Sequence, residues 1–181
     1  MSDRNSHYVQ EVAVESVPGF KSVLGRFATG VAVITACHDG APVGFTCQSF
    51  SALSLDPPAV CFCPARSSTS WPRLRAAGRF CVNILAHDQQ ELCRQLARSG
   101  TDKFAGVQWT PSANGAPRLE GAVATIDCEL DRELDGGDHT IVIARVTALS
   151  EHSDAAPLLY YRAAFAQLHT QIAQLHPQLR V

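Results

Sequence analysis

Short apolar runs alternate with polar positions along most of the chain, and this pattern predicts many short strands. The runs are rich in β-branched and aromatic residues, which favour strands, and turn residues separate them. Two connections, Asp39-Gly40 and residues 135–138, are too short to cross over a sheet, so they predict antiparallel hairpins. Strands are predicted at residues 31–37, 43–53, 59–63, 79–85, 119–134, 139–152 and 157–168. The fold class predicted from this pattern is mainly β, an antiparallel β-barrel with a few peripheral helices.

Three segments between the strands have helical patterns. In residues 18–30 the apolar positions follow i, i+3, i+4, i+7 spacing, and Gly30 is the expected end of that helix. Two further helices are predicted, over residues 71–78 and over residues 88–100, the latter with Asp88 as its N-cap. These helices are short, so we expect them to pack on the outside of the sheet.

The length of 181 residues favours a single folded domain. We expect a polar N-terminal arm over residues 1–17, a domain over residues 18–168 and a C-terminal tail over residues 169–181, which has the pattern of a short helix. A domain of this size buries enough apolar surface to be stable without a disulfide or a structural metal.

The charge distribution argues against nucleic acid or an anionic membrane as the main partner. The net charge is −2, and no block of like charge occurs. No apolar run approaches the roughly 20 residues of a membrane span, and the first residues lack the basic and apolar regions of a signal peptide. The expected location is the cytoplasm.

The seven cysteines have the pattern of small buried apolar residues. Their number is odd, no C-x-x-C occurs, and most lie inside apolar runs. Cys61 and Cys63 share one strand face, but no second Cys/His pair follows at zinc-finger spacing, so the sequence does not predict a zinc site.

One predicted strand carries an unusual cluster of short hydrogen-bonding side chains. The cluster lies between apolar neighbours and consists of Thr46, Cys47, Gln48 and Ser49. A strand that served only the core would instead alternate single apolar and polar residues. We therefore expect this segment to hold a ligand.

Several segments resemble the short-chain flavin reductases, the reductase components of two-component flavin-dependent monooxygenases, including those that serve aromatic-ring and steroid-ring hydroxylases. The similar segments are F-A-T-G-V-A-V-I-T (27–35), G-F-T-C-Q-S-F-S-A-L-S-L-D-P-P-A-V (44–60), D-K-F (102–104), G-D-H-T-I-V-I-A-R-V (137–146) and L-L-Y-Y-R (158–162). They fall in the order of that family and extend over most of residues 19–168.

The resemblance implies a fold, an activity and partners. The implied fold is an FMN-binding split β-barrel, and the implied assembly is a homodimer with the flavin near the subunit interface. The implied enzyme is an NAD(P)H:flavin oxidoreductase that releases reduced flavin to a separate oxygenase component. FMN and FAD remain alternatives as the flavin, and NADH and NADPH as the reductant. This chemistry needs no nucleophile and no metal, because the cofactors carry it.

The resemblance also implies a set of site residues. It places the flavin ring against residues 44–49, the flavin phosphate in the loop after the third predicted strand, with Arg66 and Ser70 as its leading ligands, and the nicotinamide near His139. Cys47 is expected to contribute only backbone contacts. The implied cofactor-binding residues are Gly44, Phe45, Thr46, Cys47, Gln48, Ser49, Cys63, Ala65, Arg66, Ser67, Thr69, Ser70, Phe104, His139 and Arg162.

Two other functions fit parts of this pattern. A non-catalytic flavin carrier or sensor on the same barrel would share the flavin-binding residues and would show no turnover, since a fold does not determine a function. The second alternative is a split-barrel oxidase of pyridoxamine phosphate. The segments at 44–60 and 137–146 match the flavin reductases better than they match that oxidase.

Overall fold

The computed structural model describes residues 17–100 and 102–168. Most of the expected N-terminal arm and the whole C-terminal tail lie outside these residues. The helices are α1 (Val17–Leu24), α2 (Trp71–Ala77) and α3 (Gln90–Ala97). The strands are β1 (Thr29–Gly30), β2 (Ala32–His38), β3 (Ala41–Cys47), β4 (Ser51–Leu55), β5 (Pro58–Phe62), β6 (Arg79–Ile84), β7 (Trp109–Pro111), β8 (Pro117–Leu119), β9 (Ala124–Gly136), β10 (His139–Glu151), β11 (Leu159–Tyr161) and β12 (Ala164–Ala166).

A seven-stranded sheet forms the centre of the fold, in the order β3-β2-β6-β9-β10-β5-β4. All its strand pairs are antiparallel, which confirms the predicted mainly β fold class. The sheet is not closed by hydrogen bonds, because β3 and β4 are its two edges. Smaller sheets, β1-β11-β12 and β7-β8, flank it.

An aromatic cluster fills the space that the central sheet encloses. The ring of Phe62 lies 5.5 Å from that of Trp71 and 5.4 Å from that of Phe80, both edge to face. Phe45 of the edge strand β3 approaches the same ring at 6.3 Å. Strands from distant positions in the sheet therefore meet across one core, as they do in a barrel.

The predicted hairpin turns are confirmed by their backbone angles. Asp39 and Gly40 have φ values of 51° and 74°, the combination that a two-residue turn between twisted strands requires. The second hairpin has a shorter turn than predicted, because β9 continues to Gly136 and β10 begins at His139, and β9 starts only at Ala124, later than the predicted residue 119. Its tip therefore consists of Gly137 and Asp138.

Two predicted strands are each divided in the structure. The segment 43–53 forms β3 and β4, and residues 48–50 between them leave the ladder. The segment 157–168 forms β11 and β12, because Arg162 and Ala163 adopt positive φ values of 50° and 61° and reverse the chain. Apolar patterning alone does not reveal such breaks, since both sides of a break have the composition of a strand.

Two predicted helix boundaries are wrong. Helix α1 ends before Gly25, whose N–H donates to the Lys21 carbonyl at 2.8 Å, whereas Gly30 lies in β1 and pairs with Leu159. Asp88 does not cap α3, because the N-cap position falls on Gln89. In the first case pairing with a distant strand overrides the local signal for the end of a helix.

Four of the cysteines, Cys47, Cys81, Cys93 and Cys128, are buried, as their apolar surroundings predicted. Burial is the main cause that raises the pKa of the Cys81 and Cys128 thiols to about 12, so both stay neutral inside the core. Among the helices of the described residues, none is long and apolar enough to cross a membrane.

Candidate functional site

A cleft of about 650 Å³ opens where β3 ends and the chain leaves the central sheet. We call it the central cleft. Four parts of the chain surround it: the end of β3 with the residues that follow, the loop between β5 and α2, the end of α3 with Ser99 and Lys103, and His139 at the start of β10. The lining residues are Phe45, Thr46, Cys47, Gln48, Ser49, Cys63, Pro64, Ala65, Ser67, Ser68, Thr69, Ala97, Ser99, Lys103 and His139.

Most of the residues that the sequence singled out line this cleft together. The ten that do are Phe45, Thr46, Cys47, Gln48, Ser49, Cys63, Ala65, Ser67, Thr69 and His139. The other five lie elsewhere, namely Gly44, Arg66, Ser70, Phe104 and Arg162. The segments at 44–49, 63–70 and 139 are far apart in sequence, and the fold brings them to one place.

Side chains on one wall of the cleft are held by hydrogen bonds within the protein. The Thr46 hydroxyl donates to the Cys93 carbonyl of α3 at 2.7 Å. The Ser49 hydroxyl accepts from the Cys63 amide at 2.8 Å, which ties residue 49 to the chain just after β5. Both hydroxyls therefore position the wall, and the Gln48 side-chain amide has no hydrogen bond to any of the described residues. Gln48 is exposed and can turn its amide towards a ligand.

Cys47 lies beside Ser49, with 3.3 Å between the sulfur and the hydroxyl oxygen. Burial raises the pKa of the Cys47 thiol, and the nearby Ser49 hydroxyl opposes that effect. The group is therefore a neutral thiol at physiological pH. A neutral buried thiol is unreactive, which agrees with the expectation that Cys47 contributes only its backbone.

The loop between β5 and α2 offers free donors to the cleft. The Ser68 amide donates to the Ala65 carbonyl at 2.9 Å, and the Ser68 hydroxyl accepts from the Trp71 amide at 3.1 Å. These bonds shape the turn that leads into α2. The amides and hydroxyls of Ser67 and Thr69 make no hydrogen bond to any residue of the described ranges, and both residues are exposed.

Lys103 is the functional candidate that the sequence analysis did not select. Its ammonium donates to the Ser70 hydroxyl at 2.9 Å and to the Gly44 carbonyl at 3.3 Å. Within residues 17–100 and 102–168 it forms no ion pair with a carboxylate. Burial lowers the pKa of Lys103, because a desolvated ammonium is less stable than a solvated one. An unpaired cation at the edge of a cleft favours an anionic ligand.

The signal for Lys103 was present in the D-K-F segment, from which only Phe104 was selected. In the structure Phe104 packs against the buried cluster that includes Leu85 and Leu96, and it also lies against Gly44. A Cβ at Gly44 would come within 2.9 Å of the Ile34 carbonyl oxygen and 3.3 Å of the Phe104 ring. Gly44 thus allows the close packing on which the Lys103 contact depends.

Ser70 is buried, and its hydroxyl accepts from Lys103. Ser70 therefore approaches the cleft only through Lys103. Arg162 lies at the turn between β11 and β12, where its amide donates to the Gly25 carbonyl at 2.8 Å and its guanidinium lies 5.9 Å from the Tyr161 ring centre. It does not line the central cleft, although its neighbour Ala163 lines an adjoining pocket with Thr46 and Gln48.

His139 reaches the cleft from the tip of the β9–β10 hairpin. Its Nδ1 lies 2.7 Å from an Asp138 carboxylate oxygen, and this hydrogen bond is the main cause that lowers the pKa of Asp138. Arg66 does not line the cleft, and its guanidinium donates to Asp135 and to the Gly137 carbonyl, each at 2.7 Å. The hairpin tip and the loop after β5 are thus joined beside the cleft.

Comparison with known proteins agrees with this geometry. The flavin reductase like domain matches residues 24–169. The reductase subunit HsaB of a flavin-dependent monooxygenase from Rhodococcus jostii is 50% identical over 156 residues, which cover 85% of this chain and 80% of that protein.

Two solved structures share the fold. Nitrilotriacetate monooxygenase component B from Mycobacterium thermoresistibile superimposes with a TM-score of 0.83 at 46% identity, covering 91% of this chain and 94% of its own. The Streptomyces globisporus NADH:FAD oxidoreductase SgcE6, solved with NAD and FAD fragments, gives a TM-score of 0.84 at 31% identity, covering 89% of this chain and 98% of its own. The resemblance seen in the sequence is thereby confirmed, and the chain belongs to the flavin reductase like domain family.

Proposed function

We propose that this protein is the reductase component of a two-component flavin-dependent monooxygenase. In this role it uses NAD(P)H to reduce FMN or FAD in the central cleft and supplies the reduced flavin to a separate oxygenase. The observation that carries the proposal is the placement of Lys103 and the free donors of the β5–α2 loop around one cleft in a chain of this family.

The cleft fits a flavin in size and in the chemistry of its donors. Its volume of about 650 Å³ lies within the usual range for cofactor sites. The flavin phosphate is an anion, and Lys103 with the free donors of Ser67 and Thr69 offers a cation and neutral donors for it. The ring edge carries carbonyls and nitrogens, and the free amide of Gln48 can donate to them.

The residues of the cleft have distinct roles in this proposal. Lys103, Ser67 and Thr69 bind the phosphate and so fix the position of the flavin. The wall formed by Phe45, Thr46, Cys47, Gln48 and Ser49, with Cys63 and Ala65 opposite, positions the ring and keeps water from one of its faces. When bound, the flavin accepts a hydride from the nicotinamide.

His139 acts on the nicotinamide side of the cleft. Its imidazole is half exposed and fixed by Asp138, so it presents a defined surface to a second ligand that enters above the flavin. Hydride transfer requires the two rings to lie within contact distance, and residues that set this geometry contribute to the rate by orienting the reactants. His139 is therefore a positioning residue for NAD(P)H in the proposal.

The working form that we propose is a homodimer in the cytoplasm. Helix α1 and the residues after it expose Phe20, Val23, Leu24 and Phe27, with 77% of Phe27 accessible. Exposed apolar patches of this kind are typical of interaction surfaces. A groove of about 500 Å³ runs from Phe27 to Gln48, so an interface here would adjoin the flavin wall. The seven free cysteines support a reducing compartment.

Steady-state oxidation of NADH and NADPH, each with FMN and with FAD, tests the proposed activity. The account predicts turnover well above that of free flavin with at least one combination, and product flavin that passes a dialysis membrane. A protein that binds flavin but gives no turnover above the free-flavin background would instead be the carrier or sensor that the sequence left open.

A further inference from the structure

Arg66 joins two parts of the protein that meet at the central cleft. Its backbone belongs to the loop after β5, between the cleft residues Ala65 and Ser67, yet its side chain does not line the cleft. The guanidinium Nε donates to the Gly137 carbonyl and Nη2 donates to Asp135, each at 2.7 Å. Gly137 lies in the tip of the hairpin that carries His139, and Asp135 lies next to it at the end of β9.

Backbone hydrogen bonds strengthen the same connection. The Arg66 amide donates to the Asp138 carbonyl at 2.9 Å, and the Thr140 amide donates to the Pro64 carbonyl at 3.0 Å. The regular pairing of β10 with β5 ends at Val142 and Phe62. Beyond that pair, the loop and the hairpin tip are held together by these bonds and by the Arg66 side chain.

The Arg66 contact also shapes the turn itself. Asp135 accepts from Arg66 and from the Gly137 amide, the latter at 3.0 Å, so one carboxylate fixes both the arginine and the turn. These contacts are the main causes that lower the pKa of Asp135, with the Arg66 hydrogen bond first. His139 follows two residues after Gly137, so its position depends on this turn.

We propose that Arg66 is a positioning residue that couples the flavin loop to the His139 hairpin. This inference rests on the proposed function and deepens it. Arg66 acts on the nicotinamide side through Gly137 and Asp135, and it does not bind the flavin phosphate. Surface ion pairs alone contribute little, but this arginine is bidentate and one of its acceptors is a backbone carbonyl, which fixes its geometry.

Replacement of Arg66 by alanine tests the coupling. The Arg66→Ala variant should raise KM for NADH about three- to tenfold, because the hairpin tip loses its side-chain support, while Kd for FMN changes less than about twofold. Arg66→Lys should restore only part of the effect, since an ammonium cannot reproduce the two-point contact. Asp135→Ala should act in the same direction.

The double variant and a matched control separate coupling from a general loss of stability. Arg66→Ala with Asp135→Ala should raise KM by less than the product of the two single effects, because both single variants lose the Arg66–Asp135 hydrogen bond. Arg132→Ala is the control, since Arg132 is an exposed arginine of β9 that pairs with its neighbour Asp131 at 2.9 Å. It should leave KM for NADH and Kd for FMN unchanged.

Three results would overturn the inference. One is an FMN affinity that falls tenfold in Arg66→Ala while riboflavin affinity does not, which would make Arg66 a phosphate ligand. Another is an unchanged KM for NADH in an active Arg66→Ala variant. The third is an equal KM effect in Arg132→Ala. A wild-type protein without NAD(P)H turnover would instead refute the proposed function, so the two failures can be told apart.

Discussion

Replacing Lys103 by methionine removes one charge from the central cleft and keeps most of the side-chain volume. In the structure the ammonium donates to the Ser70 hydroxyl at 2.9 Å and to the Gly44 carbonyl at 3.3 Å. Both acceptors are neutral, so the positive charge is uncompensated within the described residues. If the flavin phosphate lies at this end of the cleft, the variant loses the principal cation that binds it.

The expected magnitude follows from that contact. A hydrogen bond between charged partners contributes about 1.5–3 kcal/mol, which corresponds to a loss of roughly ten- to a hundredfold in FMN affinity. Riboflavin has the same ring and no phosphate, so its affinity should change by less than about threefold. The ratio of the Kd for FMN to the Kd for riboflavin therefore measures the contribution of the phosphate separately from that of the ring.

Titration of the protein into FMN and into riboflavin, followed by flavin fluorescence, measures both constants. Arg132→Met is the control, because Arg132 is an exposed cation of β9 that does not line the cleft. It should leave both affinities unchanged. An equal loss for FMN and riboflavin in Lys103→Met, or no loss for either, would refute the reasoning and place the phosphate elsewhere.

The pH dependence of FMN binding provides a second test of the same contact. Burial lowers the pKa of Lys103, so the ammonium loses its proton at a pH below the ordinary lysine value of 10.5. Above the lowered pKa the cleft has no cation for the phosphate. FMN affinity should therefore fall more steeply than riboflavin affinity as pH rises through the alkaline range below 10.5, and Lys103→Met should remove this difference, because ionisation of the ring is common to both flavins.

Three further predictions concern His139, the buried side chain of Asn83 and the dimer. His139→Ala should raise KM for NADH several-fold, about 1 kcal/mol, with Kd for flavin little changed, and parallel kinetics and titrations on one preparation check this. Asn83→Leu should lower the free energy of unfolding, measured in urea, by about 2–4 kcal/mol. The reason is that buried partners of Asn83, including the Leu119 amide at 2.8 Å, lose their hydrogen bonds. A loss under about 1 kcal/mol would contradict this prediction. Phe27→Asp should shift the protein towards monomer in light scattering, and a dimer of unchanged stability would exclude α1 from the interface.

Much of the fold could be predicted from local patterns, because the strands are short, regular and separated by clear turns. Asp39-Gly40 predicted its hairpin, and the backbone angles of both residues confirm it. The breaks at residues 48–50 and 162–163 could not be predicted in this way. They depend on pairing with distant strands, and the apolar pattern continues across them.

In the candidate site, too, local composition was predictive and long-range contacts were not. The polar cluster at 46–49 was visible because its composition is unusual for a strand, and the resemblance located the loop at 64–70. Lys103 stands in the similar D-K-F segment, but its composition did not single it out, since a lysine next to an aspartate in a loop is typical of a solvated turn. For Arg66 the sequence favours a different role, because an arginine in a serine-rich loop is typical of a phosphate site. Only the fold places Asp135 and Gly137 beside its guanidinium.

The central claim is that NAD(P)H reduces flavin in the central cleft, and anaerobic bleaching of oxidised FMN or FAD by NADH tests it most directly. Ala97 is exposed on the last turn of α3 and lines the cleft, so Ala97→Trp fills the cleft without disturbing the core. The account predicts rapid bleaching by the wild-type protein and a rate near that of free flavin for an Ala97→Trp variant of equal thermal stability. A wild-type rate no faster than free flavin, or a variant as fast as the wild type, would contradict it.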